Sequence, residues 1–331
     1  MRPLGTQNDR LNFLQQPRNI AMKNAAISSL ALFVVCLTQT TLWSQSNTLR
    51  ERDVRLDESV SLHMIEQGTG EPIVFIHGIS GDYQIWQRQV AAFAQQRFRA
   101  ISYSRRYNYP NDNPLKPNHS AVVEADDLDR LLTKLEIDKA HIVGHSYGGY
   151  TALMFALKHP KRVRTLILCE PPLVTWLDSI TGEKKAAAKA HREGTFSRFV
   201  NPSKTAFEMN DTEKAWGIFF DFFVGEGAQE RMPPAIVARV RRNPREVQAL
   251  TSSKNIYPEV ARDDVKQLSM PVLIMSGSRT TGVAQYTDDE LERLLPESTT
   301  QRATFDTTHM MWQQQPVQCR NTVVRFIREA E

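Results

Sequence analysis

The sequence predicts an α/β fold with a mostly parallel central sheet flanked by helices and a block of helices inserted before its last strands. Three observations predict it. From residue 52 to about 172, short apolar runs alternate with longer segments of helical period, the rhythm of strands joined by crossover helices. Between 173 and about 265 that rhythm stops, and stretches such as "KKAAAKAHRE" and "EKAWGIFFDFF" read mainly as helix. At "PVLIMSG" it resumes and runs to the end. The expected organisation is a core of residues 47–172 and 266–331, interrupted by a helical cap of 173–265, far longer than an ordinary connection.

Each element has its own justification. Residues 61–67 (SLHMIEQ) alternate as a half-buried strand does, and "GTGEP" turns the chain into the buried strand 73–78 (IVFIHG). Residues 82–96 place Ile85, Val90 and Phe93 at helical spacing. The strand 99–104 (RAISYS) leads into the proline-punctuated loop "RRYNYPNDNPLKPNHS", read by default as a surface loop, before a helix over 122–135. Strand 141–146, helix 147–159 and strand 163–170 complete the first half. After the insertion come strand 271–277, a helix at 287–295, a short strand 299–305 and a last helix over 317–330.

Composition bounds the function classes. The 331 residues are 41% hydrophobic and 24% charged, an ordinary globular balance. Arg2, Arg10, Arg18 and Lys23 against Asp9 account for +3 of the formal +4, so the remainder carries about +1. No basic face is implied, and with 8% aromatics there is no case for nucleic acid. Residues 1–46 combine that basic opening with "AAISSLALFVVCL", an n-region followed by an h-region shorter than the roughly 20 residues that span a bilayer. A signal peptide cleaved before Asn47, and hence export, is favoured over an uncleaved membrane anchor. Beyond this leader only Cys169 and Cys319 remain, read as buried free thiols rather than a disulfide framework.

The strongest chemical signal is "GHSYGG", with Ser146 between a predicted strand and a predicted helix. Glycines on either side permit a tight turn that exposes the serine at a helix N-terminus, where negative charge is favoured. Together with "IHGISGDYQIW" and "THMMWQQQPVQCRNTVVRFI", this motif resembles the α/β-hydrolase family over about residues 52–330. The resemblance implies Ser146 as nucleophile, His309 as base, and the backbone N–H groups of Ile79 and Tyr147 as the oxyanion hole. An aspartate nucleophile of the kind dehalogenases and epoxide hydrolases of this fold use is absent, because residue 146 is serine.

The acid poses a question. The family commonly places it three residues after the glycine of the strand written here "PVLIMSG", and that position is Thr280. Some members place it after the preceding strand, which here offers Glu170 in "LILCEPPL". Parallel strands open on one edge of the sheet, so a carboxylate there reaches the same imidazole. Asp178, Asp288 and Asp289 are fallbacks, the last two at a predicted helix start that suits the helix dipole. In the cap, Trp216, Phe219, Phe220 and Phe223 read equally well as the roof of an apolar substrate pocket and as the cap's own core. The expectation is a cofactor-free and metal-free serine hydrolase of a small, partly apolar ester, lactone or amide, a carboxylic ester hydrolase by class. An acyltransferase on the same triad and a non-catalytic binding protein on this scaffold are the alternatives.

Overall fold

A computed structural model describes residues 48–331. The segment 1–46 read as signal peptide or anchor lies outside the described residues. The strands are β1 (Arg50–Arg55), β2 (Ser61–Gln67), β3 (Glu71–Ile76), β4 (Phe98–Tyr103), β5 (Ala140–His145), β6 (Val163–Cys169), β7 (Val272–Gly277) and β8 (Thr300–Phe305). They form one sheet in the order β1-β2-β4-β3-β5-β6-β7-β8. β1 and β2 are antiparallel to their neighbours, and β4 through β8 run parallel. β3, β5, β6 and β7 are almost wholly buried, with Ile, Val, Leu, Met and Phe at their centres, as expected for strands covered on both faces.

The covering helices of the first half are α1 (Gln87–Ala94), α2 (Ala121–Lys134) and α3 (Tyr147–Lys158). Between β6 and β7 lies the helical insertion: α4 (Lys185–Gly194), α5 (Asn201–Glu208), α6 (Thr212–Phe223), α7 (Ala228–Arg231), α8 (Pro234–Val240), α9 (Pro244–Thr251) and α10 (Arg262–Lys266). α11 (Ala284–Leu294), α12 (Met311–Gln314) and α13 (Pro316–Glu329) close the core. Two apolar clusters result. One face of the sheet packs with α1 and α13 through Phe75, Trp86, Phe93, Trp312 and Val323. The other packs with α2 and α3 and continues into the insertion, from Leu153 and Tyr150 to Trp176, Phe199 and Trp216. No helix among the described residues is long and apolar enough to cross a membrane.

The structure departs from the sequence reading at three places. β1 was not anticipated, because its residues Arg50, Glu51, Arg52 and Asp53 are exposed and Val54 alone supplies a buried apolar contact. A charged edge strand protects the sheet against pairing with other chains, and in doing so erases its own apolar signal. The loop after β4 is a surface loop only in its second part: Ser104 to Asn108 are buried, Tyr107 included, whereas Tyr109, Pro110, Asp112 and residues 114–118 are exposed. α11 begins at Ala284 rather than 287, which puts Asp288 in its interior and buries it, so it cannot serve as a first-turn acid.

Candidate active site

The turn at Ser146 is built by what its neighbours lack. A Cβ on Gly144 would lie 2.3 Å from the Gly148 carbonyl oxygen, and one on Gly148 would lie 2.3 Å from that of Ile76. Only glycine lets β5, the turn and α3 approach this closely. Ser146 itself sits at φ 56°, ψ −126°, a strained conformation for an L-residue, held by its N–H donating to Cys169 O at 2.8 Å. It is the one residue of 141–150 that is not buried. Tyr147 opens α3, so its N–H is one of the orphan donors of a helix N-terminus.

Strand register brings the expected acid and base to the same edge. His145 pairs with Cys169, Cys169 with Met275, and Gly277 with Phe305, so Ser146, Glu170, the β7 turn and the loop carrying His309 all emerge at the carboxyl ends of adjacent strands. Glu170 occupies the left-handed region at φ 51°. Its carboxylate, fully buried, accepts the Gly277 N–H at 2.7 Å on Oε1, and on Oε2 the Thr280 hydroxyl at 3.0 Å and His309 Nδ1. Burial alone would raise the Glu170 pKa, but the hydrogen bond and charge of His309, with the Gly277 N–H, outweigh it and hold the carboxyl below its usual range. Thr280, at the position where the acid was missing, is therefore a donor to Glu170.

His309 is held on its other sides as well. The His145 ring lies 4.6 Å from the His309 ring, centroid to centroid, and its Nε2–H donates to the His309 carbonyl at 2.8 Å. Burial and the adjacent His309 push His145 down to about 3, so this imidazole is neutral. The Gln314 side chain brackets the preceding residue, accepting from the Thr308 N–H and donating to the Thr308 hydroxyl, each at 3.0 Å. Gly277 is required here too, since a Cβ would meet Thr307 O at 2.6 Å.

The loop after β3 carries Gly78, Ile79 and Ser80. A Cβ on Gly78 would touch Ser146 Cβ at 3.0 Å, so this loop lies directly against the serine. Among the described residues, neither the Ile79 nor the Tyr147 N–H meets a backbone acceptor outside regular helix and strand bonding. Behind the loop lies a buried cluster that the sequence reading did not find. Arg105, fully buried, donates to both oxygens of Glu124 at 2.7 Å and to Glu246 of the insertion, and burial of its charge is outweighed by these carboxylates, which raise its pKa. His77 is neutral, driven down to about 3 by burial and by Arg105. No motif announces this cluster; the signal available was a pair of arginines followed by Tyr-Asn in a loop too polar to be expected inside.

The remaining expected residues fall in two groups. Asp178 pairs with Arg192, and Asp289 with Arg302, on the surface. Trp216, Phe219 and Phe220 are buried against one another, and Phe223 is 43% exposed while packing on Phe199 and Phe219. Cys169 and Cys319 are both free and buried, as expected.

Comparison with known proteins is consistent in kind. A family model described as alpha/beta hydrolase fold matches residues 71–312. An epoxide hydrolase of Caballeronia sordidicola is 31% identical over 137 residues, which are 41% of this chain and 41% of the relative. In eight of the curated relatives that this chain matches, the matched part spans only 22% to 41% of their own lengths. Among solved structures, the enol-lactonase from Burkholderia xenovorans LB400 superposes with a TM-score of 0.65 at 19% identity, covering 84% of this chain and 100% of that one. A thermophilic esterase from Thermogutta terrifontis gives 0.65 at 20% identity, covering 85% and 99%. At such identities the likeness is one of fold.

Proposed function

The chain belongs to the α/β-hydrolase fold family, and from that membership we propose that it is a serine hydrolase cleaving an ester or lactone through Ser146, His309 and Glu170. The observation that carries this reading is the buried Glu170 carboxylate bonded to His309 Nδ1 on the same sheet edge as the strained Ser146 turn. A carboxylate facing Nδ1 keeps the proton there and leaves Nε2 as the basic nitrogen.

In the reaction, Nε2 takes the Ser146 hydroxyl proton as Oγ attacks the substrate carbonyl carbon. The Ile79 and Tyr147 N–H groups receive the oxyanion, and Nε2 then gives its proton to the leaving alkoxide. Water, deprotonated by the same nitrogen, attacks the acyl-enzyme and frees Ser146. Serine at position 146 supports acyl transfer over the epoxide opening named for the Caballeronia relative, for which this fold uses an aspartate. Residues 173–265 act as the cap over this site, with the aromatic side chains of α6 as its internal core, and residues 1–46 direct export.

The test is fluorophosphonate labelling together with hydrolysis of p-nitrophenyl esters and simple lactones. Wild type labels and turns over; Ser146→Ala does neither; Glu170→Gln loses at least a hundredfold in kcat, as expected when the imidazole is no longer held in the correct tautomer. Labelling that survives in Ser146→Ala, or turnover in Glu170→Gln equal to wild type, overturns the assignment.

A further inference from the structure

The oxyanion loop is gripped from two sides, and one side is the insertion. The Gly78 carbonyl accepts from His77 Nδ1 at 2.8 Å, from Arg105 Nη2 at 3.1 Å and from the Gly81 N–H at 3.2 Å. A trans peptide is planar, so its C=O and N–H point in opposite directions. Holding the Gly78 oxygen therefore aims the Ile79 N–H of the same peptide unit. The next residue, Ser80, lies in the left-handed region at φ 55° and is fixed at both backbone groups. Its N–H donates to Glu246 Oε2 at 2.6 Å, and its carbonyl accepts from Asn243 Nδ2 at 2.9 Å.

Glu246 and Asn243 both belong to the start of α9 in the insertion. Asn108 also donates to Glu246 Oε2 at 2.8 Å, and Asn243 Oδ1 accepts the Tyr109 N–H at 2.7 Å. Arg242 completes the grip by pairing with Asp82 at 2.5 Å. Arg105 joins the two sides, since its guanidinium holds Glu124 of α2, Glu246 of α9 and the Gly78 carbonyl together. Desolvation offsets most of the Coulombic gain of an ion cluster buried this deeply, and in some proteins such groups serve to select one geometry.

We propose that Arg105, Glu246 and Asn243 are positioning residues that set the Ile79 N–H for the oxyanion, so that the insertion completes the catalytic site as well as covering it. The proposal rests on the serine-hydrolase reading above, and the experiment separates the two. Full-length wild type, Ser146→Ala, Glu246→Gln and Asn243→Ala are compared for p-nitrophenyl ester turnover and for inhibition by an aryl trifluoromethyl ketone, which forms a tetrahedral adduct with an active serine. Expected is a fall of at least tenfold in kcat for Glu246→Gln and Asn243→Ala with KM within about threefold, as for the weakening of an oxyanion donor. Inhibitor affinity falls by the same factor, in protein that still unfolds cooperatively.

If Glu246→Gln does not fold, Arg242→Ala, at the half-exposed end of the same grip, replaces it and is expected to show the same split at about threefold. Turnover in wild type that survives in Ser146→Ala removes the underlying hydrolase reading. Ser146-dependent turnover with kcat unchanged in the folded variants, or a rise in KM alone, removes this inference and leaves the hydrolase reading standing.

Discussion

Thr280 stands where the usual acid is missing, and its hydroxyl donates to the oxygen of Glu170 that also bonds His309. A hydrogen bond to a charged group contributes about 1.5–3 kcal/mol, but Thr280 is partly solvated, so water replaces much of what is lost. Thr280→Ala is therefore expected to lower kcat by about three- to tenfold, far less than Glu170→Gln, with Thr280→Ser restoring most of it. Steady-state kinetics of the three variants check this; a Thr280→Ala loss as large as that of Glu170→Gln would mean that Glu170 cannot hold His309 without the threonine bond. The residues of the site differ in how well the sequence announces them. Ser146 lies in a glycine-framed turn whose spacing is its own signal, and Glu170 stands out because an acid ends a buried apolar strand. Arg105, Glu124 and Glu246 could not be read in advance. Charged residues are almost never fully buried unless paired, and their partners lie 19 and 141 residues apart in sequence, joined only by the fold.

Elements succeed or fail here through backbone room. At Gly148 in α3 a Cβ would stand 2.3 Å from Ile76 O and 2.5 Å from His77 O, both backbone atoms that cannot move without opening β3. Gly148→Ala is expected to destabilise the protein by about 3 kcal/mol or more, as overpacking at its upper range does, and to abolish turnover. Gly217 in α6 has nothing within 4 Å of such a Cβ. There Gly217→Ala is expected to stabilise by about 0.5–1 kcal/mol through helix propensity. Urea denaturation of both variants tests the contrast, which fails if the two changes share a sign. The same logic explains which elements the sequence disclosed. Strands buried on both faces read as unbroken apolar runs, so β3, β5, β6 and β7 were placed within two residues of their ends. β1 carries its charges outward and gave no run to read, and α11 starts a turn early because the partly buried Val283 and buried Ala284 cover the core without any capping residue to mark the start.

On the scale of the whole molecule, the parallel strands deliver Ser146, Glu170 and His309 to one edge, and two of the buried carboxyls near that edge are driven in opposite directions. Glu170 is held low, so its pairing stabilises the fold above the unfolded carboxyl pKa and is lost only as acid protonates it in the folded state. Asp288 is the reverse. Burial pushes it up to about 7, with the charge of Glu170 adding to the rise, while its bond from the Ser276 hydroxyl at 2.5 Å and the charge of Arg302 pull it down only in part. Its Oδ1 is buried without a partner among the described residues. A folded pKa above the unfolded 3.8 means that the folded state holds the proton more tightly. The stability this contributes is full below about pH 4 and is lost as pH rises through about 7. The gap corresponds to about 4 kcal/mol. Asp288→Asn cannot ionise and keeps an acceptor for Ser276, so between pH 5 and pH 8 its stability is expected to stay nearly level while that of wild type declines. Urea midpoints at pH 5, 6, 7 and 8 read the difference; parallel slopes for the two proteins would mean that Asp288 is already ionised at pH 5 and that the Ser276 contact shelters a charge. Because the same substitution removes a negative charge facing Glu170 above pH 7, the two carboxyls are linked. That link is silent in the acid limb, because Asp288 is already neutral where Glu170 takes up its proton, so Asp288→Asn is expected to leave the acid limb of the pH–activity profile unmoved; a shifted limb would mean that Asp288 carries its charge there.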